Sequence, residues 1–213
     1  GGGAGAGYST RNGFTWLYNR LSTNGEILRF QKDSSTIGSI SVNGGDNIQI
    51  FSSAADHAGL EFGTHIVAPL EAGSSADGTI DMGATSARFH TGYFSNGTSS
   101  SSDQNEKQDI AELTATELAV SKRLAKTFRT FRRIDAVQAK GNDARTHTGT
   151  IAQQVHAAFA AEGLDAAKYG MYMSDTWKDD DKEITRLGIR YEQLLSFISA
   201  GAEQRLTDIE ARL

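Results

Sequence analysis

Of the 23 glycines in this 213-residue chain, 17 fall before residue 102 and six after it. Lysine and arginine run the other way, five before that point and 16 after. Glycine disfavours helix and permits tight turns, whereas Lys, Arg, Glu and Ala favour helix. A chain divided in this way does not read as one uniform fold. The change of character falls within SSSSDQNEKQDI, residues 99–110, which marks a domain boundary, with 1–101 on one side and 102–213 on the other.

The first part reads as short strands. Residues 14–17, 26–31, 37–42, 47–51, 60–68 and 88–94 are β-type runs separated by turn chemistry such as TNGE, NGGDN, EAGSSADG and SNGT. Ile37-Gly-Ser-Ile-Ser-Val42 alternates apolar and polar residues, the pattern of a half-buried strand. Apolar content per strand is low, and one chain of this composition struggles to offset its folding entropy. Registering against copies of itself resolves that difficulty, so a self-associating β-fibre is expected. The opening GGGAGAG loosely fits a dinucleotide fingerprint but has no strand before it and β-type residues after it, so it reads as a flexible lead-in.

The second part reads as helices around one hairpin. Ile110, Leu113, Leu118, Leu124 and Phe128 suit an amphipathic helix beginning near Asp109. KTFRTFRRIDAV then trades helix formers for aromatic and β-branched residues, QAKGNDAR reads as a turn and THTGTI as a returning strand. Ile151–Glu162 reads as a helix stopped by Gly163, and DTWKDDDKEIT as a polar turn. Ile189–Leu213 reads as one long helix. Its stripe of Tyr191, Leu195, Ile198, Ala202, Leu206, Ile209 and Leu213 repeats every 3.67 residues or so, close to a straight bundle. A narrow stripe on a terminal helix suits an oligomer packed around its own axis. The expected fold class is therefore α+β: a β-rich, self-associating fibre segment, then a mainly helical domain with a β-hairpin and a long final helix packed in an oligomeric bundle.

Composition narrows the function. A net charge of −5 and a pI near 5.5 argue against a nucleic-acid partner. Without cysteine there are neither disulfides nor thiolate metal sites. No apolar run approaches the roughly 20 residues that span a bilayer, so no membrane partner is expected. The chain opens on Gly1 with no basic-then-apolar leader, and reads as a piece of something longer. No metal or cofactor is expected. The histidines, His57, His65, His90, His147 and His156, lack metal-ligand spacing. His147 lies beside GTIAQ and is read as structural, with polarisation of a site or a bond across a trimer as the other role. KDDDKE, 178–183, lacks the spaced ligands and glycine turn of a calcium loop. Trp16 and Trp177 are read as packing anchors.

The boundary itself carries a Ser102 and, five residues on, a Lys107. A serine hydroxyl attacks at neutral pH only if something takes its proton. A lysine does this when burial or nearby positive charge keeps it neutral. A turn would return the Lys107 amine to Ser102, whose Oγ would attack the carbonyl just before its own nitrogen and cut Ser101–Ser102. Ser102-Asp103 with Glu106 also makes a good helix N-terminus, so on these residues alone both readings stand.

The order of several blocks is more specific. SSSDQNEKQDI, then THTGTIAQQVHAAFAAEGLDAAKYGMY, then LGIRYEQLLSFISAGAEQRLTDIEARL together resemble the intramolecular chaperone auto-processing domain that ends endosialidase-type phage tail spikes, tail fibres and neck appendages. Upstream, GTIDMGATSARFHTGYFSNGT is similar to the segment leading into that domain, so the resemblance covers about residues 76–213. It implies a homotrimer that templates the upstream shaft in the virion and is released by cutting itself off in the host cytoplasm, with Ser102 as nucleophile and Lys107 as general base. High-contact-order fibres fold slowly, and a pre-formed trimer lowers the entropy cost of registering three chains. Gln104-Asn105-Glu106 departs from the family's commoner basic and leucine wording. Two alternatives stand beside this one: a trimerising, receptor-binding tip that never cuts, and a glycan-processing tip, for which the acids of the β-part show no motif. A host-surface glycan or receptor is a further candidate partner of the fibre.

Overall fold

The computed structural model describes residue 13 and residues 16–213. The GGGAGAG lead-in and the first half of the strand expected at 14–17 lie outside the described residues; Trp16 and Leu17 are in neither strand nor helix. Two compact units are present, residues 1–84 and 85–213.

The first unit is a six-stranded antiparallel meander in chain order. Its strands are β1 (Gly25–Lys32), β2 (Ser35–Asn43), β3 (Asn47–Ser52), β4 (Ala58–Gly63), β5 (Ile66–Glu71) and β6 (Ser74–Ser75). The run read as one strand over 60–68 is two, β4 and β5, because His65 takes a left-handed backbone (φ 61°) and turns the chain. Period-2 alternation gives the sheet two unlike faces. One face aligns Ile40, Ile50, Leu60 and Pro69 across four strands, beside Val42, Ile48, Phe62 and Val67. Ile48, Ile50, Leu60, Phe62 and Val67 on this face are exposed. The other face is polar and largely buried. Ser41 donates to Gln49 at 3.0 Å, and Glu61 accepts from Asn43, Asn47 and Gln49 at 3.0, 2.9 and 2.6 Å. Those amides, Asn43 first, hold the Glu61 carboxyl below the usual carboxylate range. Phe51 crosses this face over Gly59, where a Cβ would sit 2.3 Å from the Phe51 Cβ.

The second unit mixes short helices and two hairpin-like sheets. Residues 88–94, read as a strand, form no regular element; their aromatic residues Phe89, Tyr93 and Phe94 are exposed. The first helix is shorter than expected. It is α1 (Ala115–Leu124), starting at Thr114 through a full capping box with Glu117. Asp109 instead takes φ 56°, which ends rather than starts a helix, and Ile110 is exposed. β7 (Arg129–Phe131) pairs with β8 (His147–Gly149), the returning strand, but α2 (Ile134–Lys140) lies between them, over IDAV, where helix formers give way to β-branched residues, and the start of the QAKGNDAR turn. α3 (Ala152–Ala160) follows as expected. DTWKDDDKEIT is not a loop: it forms most of a hairpin, β9 (Tyr172–Asp179) and β10 (Lys182–Ile189), turning at Asp180–Asp181. α4 (Tyr191–Glu210) closes the chain, starting two residues late because Ile189 belongs to β10. The fold class is mixed α+β.

Val120 and Leu124 of α1, Val155 and Phe159 of α3, and Leu194 and Phe197 of α4 meet in one core with Met171. Phe159 has no exposed surface and packs against Tyr169 at 4.5 Å between ring centroids. α4 therefore presents Leu194, Phe197 and Gly201 inward, a face distinct from most of the stripe read from the sequence. Tyr191, Leu195, Leu206, Ile209 and Leu213 of that stripe are exposed, and no residue after Gly201 is buried. Gly201 lets α1 and α4 touch: a Cβ there would lie 1.9 Å from the Ser121 Oγ. Overpacking of this kind costs about 1–3 kcal/mol. Gly201→Val is expected to lower the unfolding free energy read from urea titration of the helical signal by that amount.

Candidate active site

Local chemistry folds residues 101–107 back on themselves. Asp103 is extended (φ −66°, ψ 137°), and its carboxylate accepts from the Asn105 N–H and the Asn105 side-chain amide, each at 2.9 Å. This caps a single 3₁₀ turn, Gln104–Glu106. The Lys107 N–H then donates to the Gln104 carbonyl at 3.1 Å and the chain becomes extended again.

The turn brings positions five apart into contact twice. The Lys107 Nζ donates to the Ser102 Oγ at 2.6 Å and to the Ser102 carbonyl at 3.3 Å. The Ser101 Oγ donates to the Glu106 carboxylate. The serine on each side of the 101–102 peptide bond is thus held by a charged residue from the same turn. Gln104-Asn105-Glu106, the departure from the family wording, builds this arrangement: Asn105 is the capped residue and Glu106 holds Ser101. From the sequence Glu106 was read only as part of a helix N-terminus with Ser102-Asp103, although its spacing to Ser101 repeats that of Lys107 to Ser102.

The dyad opens onto a groove of about 680 Å³. Tyr169, Met171 and Phe197 supply apolar wall, and Glu192, Gln193 and Ser196 of the first turns of α4 supply the polar rim. Arg190, just before α4, donates to the Gly170 carbonyl at 2.8 Å and ties that rim to the 169–171 segment. None of these groove residues was picked out from the sequence, because they come together only through tertiary packing. Ser101, Ser102 and Lys107 are all exposed in the single chain.

His147 lies elsewhere, stacked on Phe131 with centroids 5.9 Å apart. Trp177 packs beneath the Arg186 guanidinium, its ring centroid 5.0 Å from the Arg186 Cζ, as a packing anchor should, whereas Trp16 is 59% exposed. Among the described residues no cluster of three His, Cys, Asp or Glu could hold a metal ion, and no helix is long and apolar enough to cross a membrane.

Residues 102–164 match the family Peptidase_S74, chaperone of endosialidase. The match begins on the serine that Lys107 contacts. The chain carries a chaperone-of-endosialidase domain. The chain is 32% identical over 164 residues to a probable tail spike protein of Klebsiella phage 0507-KN2-1, covering 63% of this chain and 13% of that protein. It is 30% identical over 186 residues to the tail spike protein of Escherichia virus K5, covering 81% of this chain and 28% of that one. The side tail fiber protein pb1 of Escherichia phage T5 is 30% identical over 162 residues, 65% of this chain and 11% of that protein. The chain therefore spans only between about a tenth and three tenths of the length of these relatives. Among solved structures, the carboxy-terminal domain of the bacteriophage T5 L-shaped tail fiber with its intra-molecular chaperone domain has a similar fold, with a TM-score of 0.63 at 21% identity over 84% of this chain and 50% of that one.

The chaperone domain's wall is pinned to its first helix by one carboxylate. Glu117 accepts from the Thr114 N–H at 2.8 Å and the Thr114 hydroxyl at 2.7 Å, and its other oxygen accepts from the Tyr169 hydroxyl at 2.9 Å. The Thr114 N–H above all holds the Glu117 carboxyl below the usual carboxylate range, while partial burial opposes this. A carboxyl lowered in the folded state stabilises it fully above the unfolded value of about 4.3, and that contribution is lost as pH falls through the lowered value. Glu117→Gln is therefore expected to be less stable than wild type to urea at pH 7, with the gap narrowing at pH 3.

Proposed function

We propose that the chain is the C-terminal part of a homotrimeric phage tail fibre or tail spike. In this reading residues 102–213 drive trimerisation and folding of the upstream shaft and are then released by autoproteolysis between Ser101 and Ser102. The functional boundary lies at 101–102, downstream of the division between compact units at 84–85, so residues 85–101 fold with the chaperone but stay with the shaft. The observation that carries the reading is the 2.6 Å contact between the Lys107 amine and the Ser102 hydroxyl at the edge of the scissile bond.

The chemistry follows from that contact. Ser102 Oγ gives its proton to the Lys107 Nζ and attacks the Ser101 carbonyl carbon. The carbon–nitrogen bond of the 101–102 peptide then breaks, and the proton on Lys107 passes to the departing Ser102 nitrogen. The two pieces are now joined by an ester. Water hydrolyses it, leaving a carboxylate on Ser101 and restoring the Ser102 hydroxyl. Lys107 can accept a proton only when neutral, and covering it with apolar surface favours the neutral amine. In one chain the pair is exposed, while much of the outward stripe of α4 has no partner. Trimer assembly supplies the cover, so cutting waits for assembly. Once cut, the fibre has lost the piece that lowered its folding barrier, and its resistance to unfolding becomes kinetic.

The mature fibre would belong to the virion and meet a host-surface glycan or receptor through parts upstream of this chain, and the chaperone piece would remain in the host cytoplasm. The exposure of the dyad in the single chain also fits the alternative, a trimerising tip that never cuts, and one measurement separates the two. Native and denaturing mass spectra of the expressed chain should show a trimer whose 22.8 kDa chains are cut at 101–102, while Ser102→Ala stays whole. Lys107→Ala should slow cutting about 10²–10⁴-fold, the usual loss on removing a general base. A wild-type trimer that remains uncut overturns the proteolytic reading.

Glu106 positions the residue whose carbonyl is attacked. Loss of one such hydrogen bond corresponds to up to about tenfold in rate. Glu106→Ala should slow cutting by that factor with trimer retained. Glu106→Gln, whose side-chain oxygen still accepts from Ser101, should recover most of it.

A further inference from the structure

One groove of the second unit, about 1040 Å³, is strongly cationic in a chain of net charge −5. From upstream of the 101–102 bond, Arg88 and His90 line it; from downstream, Arg133, Lys140, Arg145 and Arg186 do. Asp135 is the one carboxylate in the lining, and it is engaged with the Ala136 N–H at 2.8 Å. The salt bridges of the described residues, Arg29–Glu26 and Arg123–Glu162, involve none of these cations. Lys140 and Arg145 flank the single turn 141–143 at the end of α2, and Arg133 precedes α2. Arg186 is fixed in place, donating to the Thr85 carbonyl beside Trp177, while the Thr85 hydroxyl donates to Asp175 at 2.7 Å. Positive groups from both sides of the cut therefore face one open space whose lining holds a single carboxylate, Asp135.

We propose that this groove binds a multivalent oxyanion that bridges the two sides of the 101–102 bond and holds the chaperone piece on the shaft. Arg guanidinium groups pair readily with phosphate, sulfate and carboxylate oxygens. A ligand touching both sides binds only while the two pieces are together, so by linkage it stabilises their association. When it leaves, like charges confront each other across the junction and favour separation. The holding step rests on the proposed cleavage; the binding step does not.

The binding test uses the full-length Ser102→Ala chain, which stays in one piece whether or not wild type cuts. Titrated calorimetrically with inorganic tripolyphosphate, and separately with a sulfated disaccharide of similar charge, it should bind at least one of the two saturably. The two arms distinguish a phosphate chain from sugar-borne sulfate. Arg133→Glu/Arg145→Glu, on exposed positions, should weaken binding at least tenfold. Arg88→Ala, at an exposed position outside regular structure, should weaken it severalfold, and an unchanged urea midpoint guards against a folding artefact. Neither anion binding, or binding untouched by Arg88→Ala and the double variant, overturns the site. For wild type, tripolyphosphate should slow departure of residues 102–213 after cutting several-fold more than sodium sulfate at equal ionic strength; equal effects reduce the bridge to simple screening and overturn it. Wild type that never cuts defeats the proteolytic reading while the calorimetry still decides the site.

Discussion

A meander of six strands has two faces, and this chain closes only one of them. Ser41, Gln49 and Glu61 satisfy one another on the polar side, while Ile48, Ile50, Leu60 and Phe62 on the other side remain in contact with solvent. The final helix repeats the pattern: Leu194, Phe197 and Gly201 face the core, and Leu195, Leu206, Ile209 and Leu213 face outward with nothing over them. Exposed apolar surface on this scale is what a contact with another chain would cover. Burying it is favourable at about 25 cal/mol per Å², against which three chains must lose their independence. Under the proposed assembly both surfaces are covered in one event.

The same constraint bears on the dyad. A lysine amine beside a serine hydroxyl is unremarkable on a solvated turn, and the turn at 101–107 is solvated in a single chain. What distinguishes it is position: it sits at the mouth of a groove whose wall is Met171 and Phe197, members of the helical core, and whose rim is the start of the helix that carries the open stripe. Any partner that packs along α4 arrives beside the groove. Covering the stripe and drying the dyad are coupled by the placement of one helix.

The sequence disclosed what local chemistry alone decides. β1, β2, β3, α3 and β8 were legible as alternation, apolar spacing or turn residues, and Ser102 with Lys107 as a pair at a change of composition. Several of the failures share one cause, dependence on a strand partner that the local sequence does not show. The hairpin β9–β10 looked like a polar loop because its stability is written across the strands: Trp177 opposite Ile184, Thr176 opposite Thr185, Asp175 opposite Arg186. Residues 88–94 have strand composition but no strand to pair with. The α1 start was misplaced to Asp109 by its charge, when Thr114 and Glu117 close a reciprocal cap that outweighs it. In α4 the outward stripe was legible as a stripe, and the inward face was missed because it is short: Leu194 and Phe197 are followed only by Gly201, which carries no apolar side chain.

The stretch from Thr85 to Ser101 joins these points. It belongs by packing to the second unit, held through Thr85 by Asp175 and Arg186, yet by the proposed chemistry it ends the shaft. A segment folded with one partner and covalently owned by the other makes release a separate step from cutting: breaking the 101–102 bond removes the tether but none of the hydrogen bonds at Thr85. The hydrogen bonds at Thr85 are part-buried, and such contacts contribute about 1 kcal/mol each. Contacts of that strength suit a helper domain that is to grip its substrate during folding and still come away, and under the proposed bridge a cationic cleft divided between the two pieces adds a grip that depends on a ligand.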